Sequence, residues 1–402
     1  DTAQVAEGMA KPTGGRTLWV AIRKHIDIPE NRSFAIFQYT LYVMHMKIIL
    51  AMDSFKGCIT SGEAEKAAAD ALKVRYPEAE ILSIPLSDGG DGWLEAYSDI
   101  TPCTMLNVDC HDALMRPITA QLAVDVSGTV IIESASACGL TLIEENSRRV
   151  LRATSYGVGE LLAAALRSRA KEIVVGLGGS ASSDCGLGML LALKESFGEE
   201  VFNRIRTEVR ITLASDVENP LYGPRGAAVV FGKQKGAGPE EIKILDRRAE
   251  TFARASLKRF GFDCSQNKGA GAAGGLGYAF MQYLGARMEW GSDILLNKAS
   301  FDEKLRGASF VLTGEGSADS QTLMGKLPVR ILHMARERGV PVHLIAGRLQ
   351  EANKLLDAGF ASVSSINPPD MPLAEALKPE RAKKNIALAM HSLPFNQQDV
   401  SA

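Results

Sequence analysis

Five loops hold most of the residues able to do chemistry in this chain: DSFKG (53–57), SDGGDG (87–92), GLGGSASSD (176–184), GAGAAGG (269–275) and TGEGSAD (313–319), the last extended by Gly325 and Lys326. Each mixes glycine with hydroxyl, carboxylate or ammonium groups, or stands near them. Glycine lets backbone N–H groups turn inward and approach an oxyanion closely. Ahead of a helix, those donors add the field of the helix N-terminus, which suits phosphate. Spaced acids in such loops can hold Mg2+, which asks for one or two carboxylates plus phosphate oxygens. A lysine nearby neutralises charge on a phosphoryl group in transfer. Together these residue types describe phosphoryl transfer. Singly, each loop has a plainer reading: a Gly-rich turn is usually only a turn, and a loop aspartate such as Asp184 usually caps a helix.

Other chemistries find less support. No G-x-x-x-x-G-K-[ST] occurs, because Gly232-Lys233 and Gly325-Lys326 lack the upstream glycine. Gly269-x-Gly271-x-x-Gly274 fits the dinucleotide fingerprint, but the polar stretch 264–268 before it does not read as a strand, which argues against a nicotinamide site. The six histidines show no metal-ligand spacing. No G-x-S-x-G elbow raises a nucleophilic serine.

The elements that must position these loops alternate between strand and helix. Residues 47–52 are a continuous apolar run, as in a strand buried on both faces of a parallel sheet. Thr60 and Glu63 form a capping box, and Ala64, Ala67, Ala68, Ala71 and Leu72 then line one helix face up to Pro77. Residues 80–86 read as a second strand, delivering 87–92 at the strand end where open α/β sheets bind ligands. Short β-type runs at 119–126 and 129–133 predict a mixed insert. A helix at 158–167 and a strand at 172–176 restore the alternation. Pro239 opens a long helix to about 259. Strands at 309–313 and 342–346 flank a helix at 328–338. The reading is an α/β protein in which a parallel-sheet domain, 46–105 and 290–395, is built from both chain ends around an inserted α/β domain, 106–289.

Length and charge agree with that picture. The chain has 402 residues, room for two domains, and a net charge of −2, which gives no global basic field for nucleic acid or an anionic membrane. Six cysteines without a C-x-x-C read as reduced thiols in a reducing compartment, the cytoplasm. Residues 1–45 lack the patterning that begins at Met46 and are treated as an extension. The uncharged run 33–46 is interrupted by Gln38, Thr40 and His45, so it is not expected to span a membrane.

From Met46 to about Ser392 the chain resembles the bacterial glycerate kinases that form 2-phosphoglycerate. The residues carrying the resemblance are MKIILAMDSFKG (46–57), SDGGDG (87–92), TSYGVGEL (154–161), GLGGSASSDCG (176–186), ASDVENPLYGPRGAAVVFGKQKGA (214–237), GAGAAGGLG (269–277), TGEGSADSQTLMGKLP (313–328) and IAG (345–347). The resemblance implies a flavodoxin-like domain made from both chain ends and a restriction-enzyme-like insert. It also implies ATP and Mg2+, with D-glycerate as acceptor. Met52 stands where a proline is usual, Ser183 and Cys185 replace Asn and Gly, and the stretch between Leu193 and Thr212 is short. Related readings are a kinase giving 3-phosphoglycerate or acting on another small hydroxy acid, and a non-catalytic carboxylate-binding relative.

Roles within such a site follow from charge and position. Gly178, Gly179 and Ser180 are the expected nucleotide-phosphate loop, with Gly314 and Gly316 second. Asp216, Glu315 and Asp319 are the expected Mg2+ ligands. Lys56 is the candidate for phosphoryl charge or the glycerate carboxylate, ahead of Lys326 and Arg225. Ser54 and Asp91 join the substrate-binding set. Asp184 or Asp88 accepts the hydroxyl proton, and the sequence does not choose between them.

Overall fold

The computed structural model describes residues 46–393, so the reading of 1–45, and all of the run 33–46 but Met46, lie outside the described residues. Two sheets organise the chain. The first has strand order β11-β10-β9-β1-β2, all parallel: β1 Lys47–Met52, β2 Glu80–Ser83, β9 Phe310–Ala318, β10 Val342–Leu349 and β11 Ser362–Ser365. It is therefore made from both ends of the chain. The second runs β3 to β8 in order: β3 Cys103–His111, β4 Pro117–Asp125, β5 Val130–Glu133, β6 Glu172–Gly176, β7 Arg210–Ala214 and β8 Arg287–Glu289. Its first three strands are antiparallel and the rest parallel, the mixed character expected from the short runs near 119–133. Cys103 already pairs in the second sheet, so sheet membership changes just before it.

The main helices are α1 Ser61–Arg75, α2 Trp93–Ile100, α3 Tyr156–Arg167, α4 Leu187–Phe197, α5 Val201–Glu208, α6 Pro239–Phe260, α7 Ala272–Leu284, α8 Gly291–Lys298, α9 Leu327–Glu337 and α10 Pro379–Ser392. The Thr60–Glu63 capping box is formed, and Pro239 opens α6. Strand parity assigns the layers. Ile48, Leu50 and Met52 of β1, Leu312 of β9 and Ile345 of β10 pack with Ala64, Ala68 and Leu72 of α1 and Ile386 and Met390 of α10. Their neighbours Ile49, Ala51, Val311 and Leu344 face the other way, onto α2, α8 and α9. That same cluster takes in Ala123, Ile131 and Ala214 of the second sheet. Leu122, Ile132, Val175 and Leu213, again of opposite parity, pack with α3, α4, α5 and α7. The result is five layers, helix–sheet–helix–sheet–helix, with Trp93 fully buried in the middle one.

Two elements differ from the sequence reading. The ladder of β2 stops at Ser83, although Ile84 and Leu86 still donate to Leu50 and Met52. β9 runs to Ala318, so TGEGSAD is not a loop after a strand but mostly the strand itself. Pairing with β10 continues through Ala346↔Glu315, Arg348↔Ser317 and Leu349↔Ala318. Tertiary pairing overrides the low strand propensity of Gly-Glu-Gly. Among the described residues no helix is long and apolar enough to cross a membrane.

Candidate active site

The C-terminal ends of β1, β2 and β9 deliver charged side chains to one place. The turn after β1 is tied to β9 by Asp53 N–H donating to Gly314 O at 2.9 Å. Asp53 is buried, and its Oδ1 accepts from the Ser54 N–H at 2.8 Å. Lys56, half-exposed, bonds Asp88 from the β2 end and stands 3.9 Å from Asp53 Oδ2. Asp88 Oδ1 also accepts from the Gly90 N–H at 3.0 Å. Within β9, buried Glu315 accepts from the Thr322 hydroxyl at 2.6 Å and faces Lys326 Nζ at 3.6 Å.

The charges act on one another. Burial, then the charge of Asp88, pushes the Asp53 carboxyl up to about 7. Burial also opposes ionisation of Asp88, but the Lys56 ammonium outweighs it and holds that carboxyl below its ordinary value. Burial works against the Lys56 cation, yet Asp88 and Asp53 reverse this and raise its pKa. Burial raises Glu315, with Lys326 opposing. The site is thus a set of carboxylates whose mutual repulsion is relieved by two lysines.

The second sheet closes this site from the other side. A Cβ on Gly178 would lie 2.2 Å from Gly90 Cα, and one on Gly89 (φ 91°) 2.3 Å from Ala214 O. Gly178 N–H donates to Gly89 O at 2.8 Å. Asp91 Oδ1 fills the space that a Gly179 side chain would need. The 87–92 loop is therefore wedged against the strand ends of β6 and β7, and these glycines are required by the close approach of two backbones.

The comparisons with known proteins bear on a site of this kind. A profile described as "Glycerate kinase family" matches residues 48–394. The chain belongs to the glycerate kinase family. It is 36% identical to the glycerate kinase of Bacillus subtilis (strain 168), over 86% of this chain and 98% of that one. It is 34% identical to the glycerate 2-kinase of Escherichia coli (strain K12), over 86% and 98%. A crystal structure described as glycerate kinase 2 from Salmonella typhimurium LT2 superposes with a TM-score of 0.71 at 32% identity, covering 86% of this chain and 96% of that one. This glycerate kinase is accordingly an enzyme that phosphorylates glycerate with ATP as co-substrate.

Against that identity, the expected site residues divide. Lys56, Asp88, Ser54, Glu315, Gly314, Gly316 and Lys326 come together around the ends of β1 and β9. Gly316 lets the 53–57 turn lie down, since a Cβ there would be 3.3 Å from Lys56 N, whereas a Cβ on Gly314 would meet Ile345 of β10 at 3.0 Å. Gly178 and Gly179 of the expected nucleotide-phosphate loop pack against Gly89, Gly90 and Asp91. Asp184 takes bonds from the Ser155 hydroxyl, the Thr154 hydroxyl and the N–H groups of Ser155, Gly186 and Gly188. It joins the starts of α3 and α4, the capping role weighed for it above. Asp216 accepts from Gly291 N–H at 2.8 Å and the Ser292 hydroxyl at 3.2 Å, holding the start of α8; burial, then Asp88, pushes its carboxyl up to about 7. Asp319 accepts from the Gln321 N–H in a turn. Asp216, Glu315 and Asp319 thus do not form one cage, and among the described residues no group of three or more His, Cys, Asp or Glu could hold a metal ion. Arg225 lines a separate cavity of about 210 Å3 with Glu218, Asn219 and Lys268.

Two residues of this glycerate kinase escaped the sequence reading. Asp53 was visible only as a companion of Lys56, although an acid directly after a buried strand is itself a signal. Lys235 lay within the 214–237 stretch without a local pattern to mark it. The departure at Met52 has a visible consequence: its N–H, which proline lacks, donates to Glu65 Oε1 at 2.9 Å.

Proposed function

We propose that this glycerate kinase transfers the γ-phosphoryl of ATP directly to the C2 hydroxyl of D-glycerate, giving 2-phosphoglycerate. The observation that carries the site assignment is the convergence of Asp53, Lys56, Asp88, Glu315 and Lys326 at the strand ends. Phosphoryl transfer needs little covalent help, so positioning and charge do most of the work. Lys56 and Lys326 bind and neutralise the phosphoryl oxygens. Asp53 Oδ2, hydrogen-bonded to nothing in the described residues and 3.9 Å from the lysine, accepts the hydroxyl proton. A carboxyl lifted toward neutrality by burial is suited to hold that proton.

Mg2+ fits this donor set: it asks for one or two carboxylates and completes its shell with phosphate oxygens and water, so a three-carboxylate cage is not needed. Asp88 and Glu315 would hold it. When bound, it would neutralise negative charge on the phosphates during transfer. The name of the E. coli relative supports the 2-phospho product. We also propose the two-domain division drawn from the sequence, 46–105 with 290–395 and 106–289, with substrates meeting between the loops of the two sheets. Six unpaired cysteines suit a cytoplasmic enzyme. The test incubates the full chain with ATP, Mg2+ and D-glycerate and identifies the product by phosphorus and carbon NMR. Phosphorus coupled to the C2 proton is expected; coupling to the C3 methylene would overturn the regiochemistry.

A further inference from the structure

Lys235 ends a single helical turn, Lys233–Lys235, closed by Gly236 at φ 90°. Only 3% of it is exposed. Its ammonium donates to Ser180 Oγ at 3.1 Å and to the Ser182 carbonyl at 2.6 Å. Among the described residues no carboxylate comes within ion-pair distance, and the third ammonium proton has no partner. A buried cation whose hydrogen bonds all go to neutral groups, with the Asp184 carboxylate acting only from beyond contact, is costly, and an anion in contact relieves that cost. Ser180 carries a second sign of the same need. Its oxygen is occupied by the lysine, and its own hydroxyl proton has no acceptor among the described residues.

Ser180 directly follows the Gly178–Gly179 pair, which lies against the 88–91 turn of the Lys56 site. The anion this segment would meet is therefore one that also reaches that site. In a kinase, the group extended enough to do so is the nucleotide triphosphate. We infer that Lys235 is a positioning residue for ATP: from beneath the 180–182 segment it fixes Ser180 as a hydrogen-bond donor and gives the segment a positive charge facing the nucleotide phosphates. The inference rests on the kinase reading but is independent of which glycerate hydroxyl reacts. Burial pushes the Lys235 ammonium down to about 8, with Cys138 and Asp184 opposing the shift. Binding of an anion nearby keeps it charged.

The arrangement separates phosphate binding from adenosine binding. ATP and adenosine are titrated calorimetrically into the full chain, with no glycerate present, for wild type, Lys235→Met, Ser180→Ala and the double variant. Each single variant is expected to weaken ATP at least tenfold and leave adenosine within twofold. The double variant is expected to be no weaker than the worse single one, because both act through one hydroxyl. In turnover, KM for ATP rises while KM for glycerate stays. Unchanged ATP affinity, or equal losses for ATP and adenosine, would overturn the inference. Thermal unfolding accompanies every titration; if Lys235→Met does not fold, Ser180→Ala decides by the same criterion. Wild type that binds ATP selectively through these residues yet yields no 2-phosphoglycerate would sink the product assignment and leave this inference standing.

Discussion

Removing the Lys56 ammonium would leave Asp53 and Asp88 repelling each other with no cation between them. Lys56→Ala is expected to lower kcat by at least ~100-fold, the scale of losing one well-placed charge in a transition state. Tm should fall only modestly, because Lys56 is half-exposed and Asp53, already lifted to about 7, can take up a proton in its place; near-normal kcat in steady-state assays would return Lys56 to the surface. Glu315→Gln keeps the acceptor for the Thr322 hydroxyl and removes the charge beside Lys326. A weaker apparent Mg2+ affinity is expected, partly rescued at high Mg2+, with little change in Tm. An unmoved Mg2+ titration curve would take Glu315 out of the metal site. At this scale the sequence was informative about residue type and less so about use. A loop aspartate can cap or catalyse, and only three-dimensional partners separate Asp88, bonded by Lys56, from Asp184, which accepts from two hydroxyls and three N–H groups.

The 87–92 turn and the Gly178–Gly179 pair fit because neither backbone carries a side chain at the contact. Gly178→Ala forces a Cβ to within 2.2 Å of Gly90 Cα. Overpacking of this kind costs about 1–3 kcal/mol. Denaturant unfolding should show that loss, and kcat should fall too, since the same contact sets the loop bearing Asp88. Full activity at wild-type stability would show that the loops do not meet as described. Local patterns did predict the elements around this contact: the apolar run of β1, the Thr60 capping box and the proline start of α6 all depend on neighbours in sequence. The extension of β9 through Gly-Glu-Gly did not show in the sequence, because its cause is pairing with β10 across a helix and two turns. Likewise the contact between Gly178 and Gly90 joins two loops that nothing in either sequence connects.

Stability of the whole molecule should carry a mark of its buried histidine. His343 in β10 is 1% exposed, and burial pushes its pKa down to about 4. An unfolded histidine titrates near 6.5, so below that pH the unfolded chain binds a proton that the folded chain resists. Folded stability is therefore lost as pH falls from about 6.5 toward 4, by about 2 kcal/mol between pH 7 and pH 5 from this group alone. Urea midpoints at the two pH values should show it, and His343→Gln should shrink the difference by that amount. An identical pH dependence in the variant would mean that His343 is protonated without penalty.

The first sheet also sets a timetable for synthesis. β1 lies between β2 and β9, and Lys47 N–H reaches Ser309 Oγ, 262 residues further along. A ribosome that has made residues up to 289 has delivered every strand of the second sheet, but only the β1–β2 pair of the first. A lone parallel pair without its flanking strands and α10 has no means of burying its apolar faces. The β1–β2 segment must therefore wait for the last third of the chain, while the middle of the chain is already able to fold. Chains ending at 289 and stalled behind a linker long enough to carry residue 289 out of the exit tunnel are expected to protect 103–289 from a pulse of protease and to leave 47–83 open to cleavage. Protection of 47–83 at that length would show that the first sheet forms without its other half.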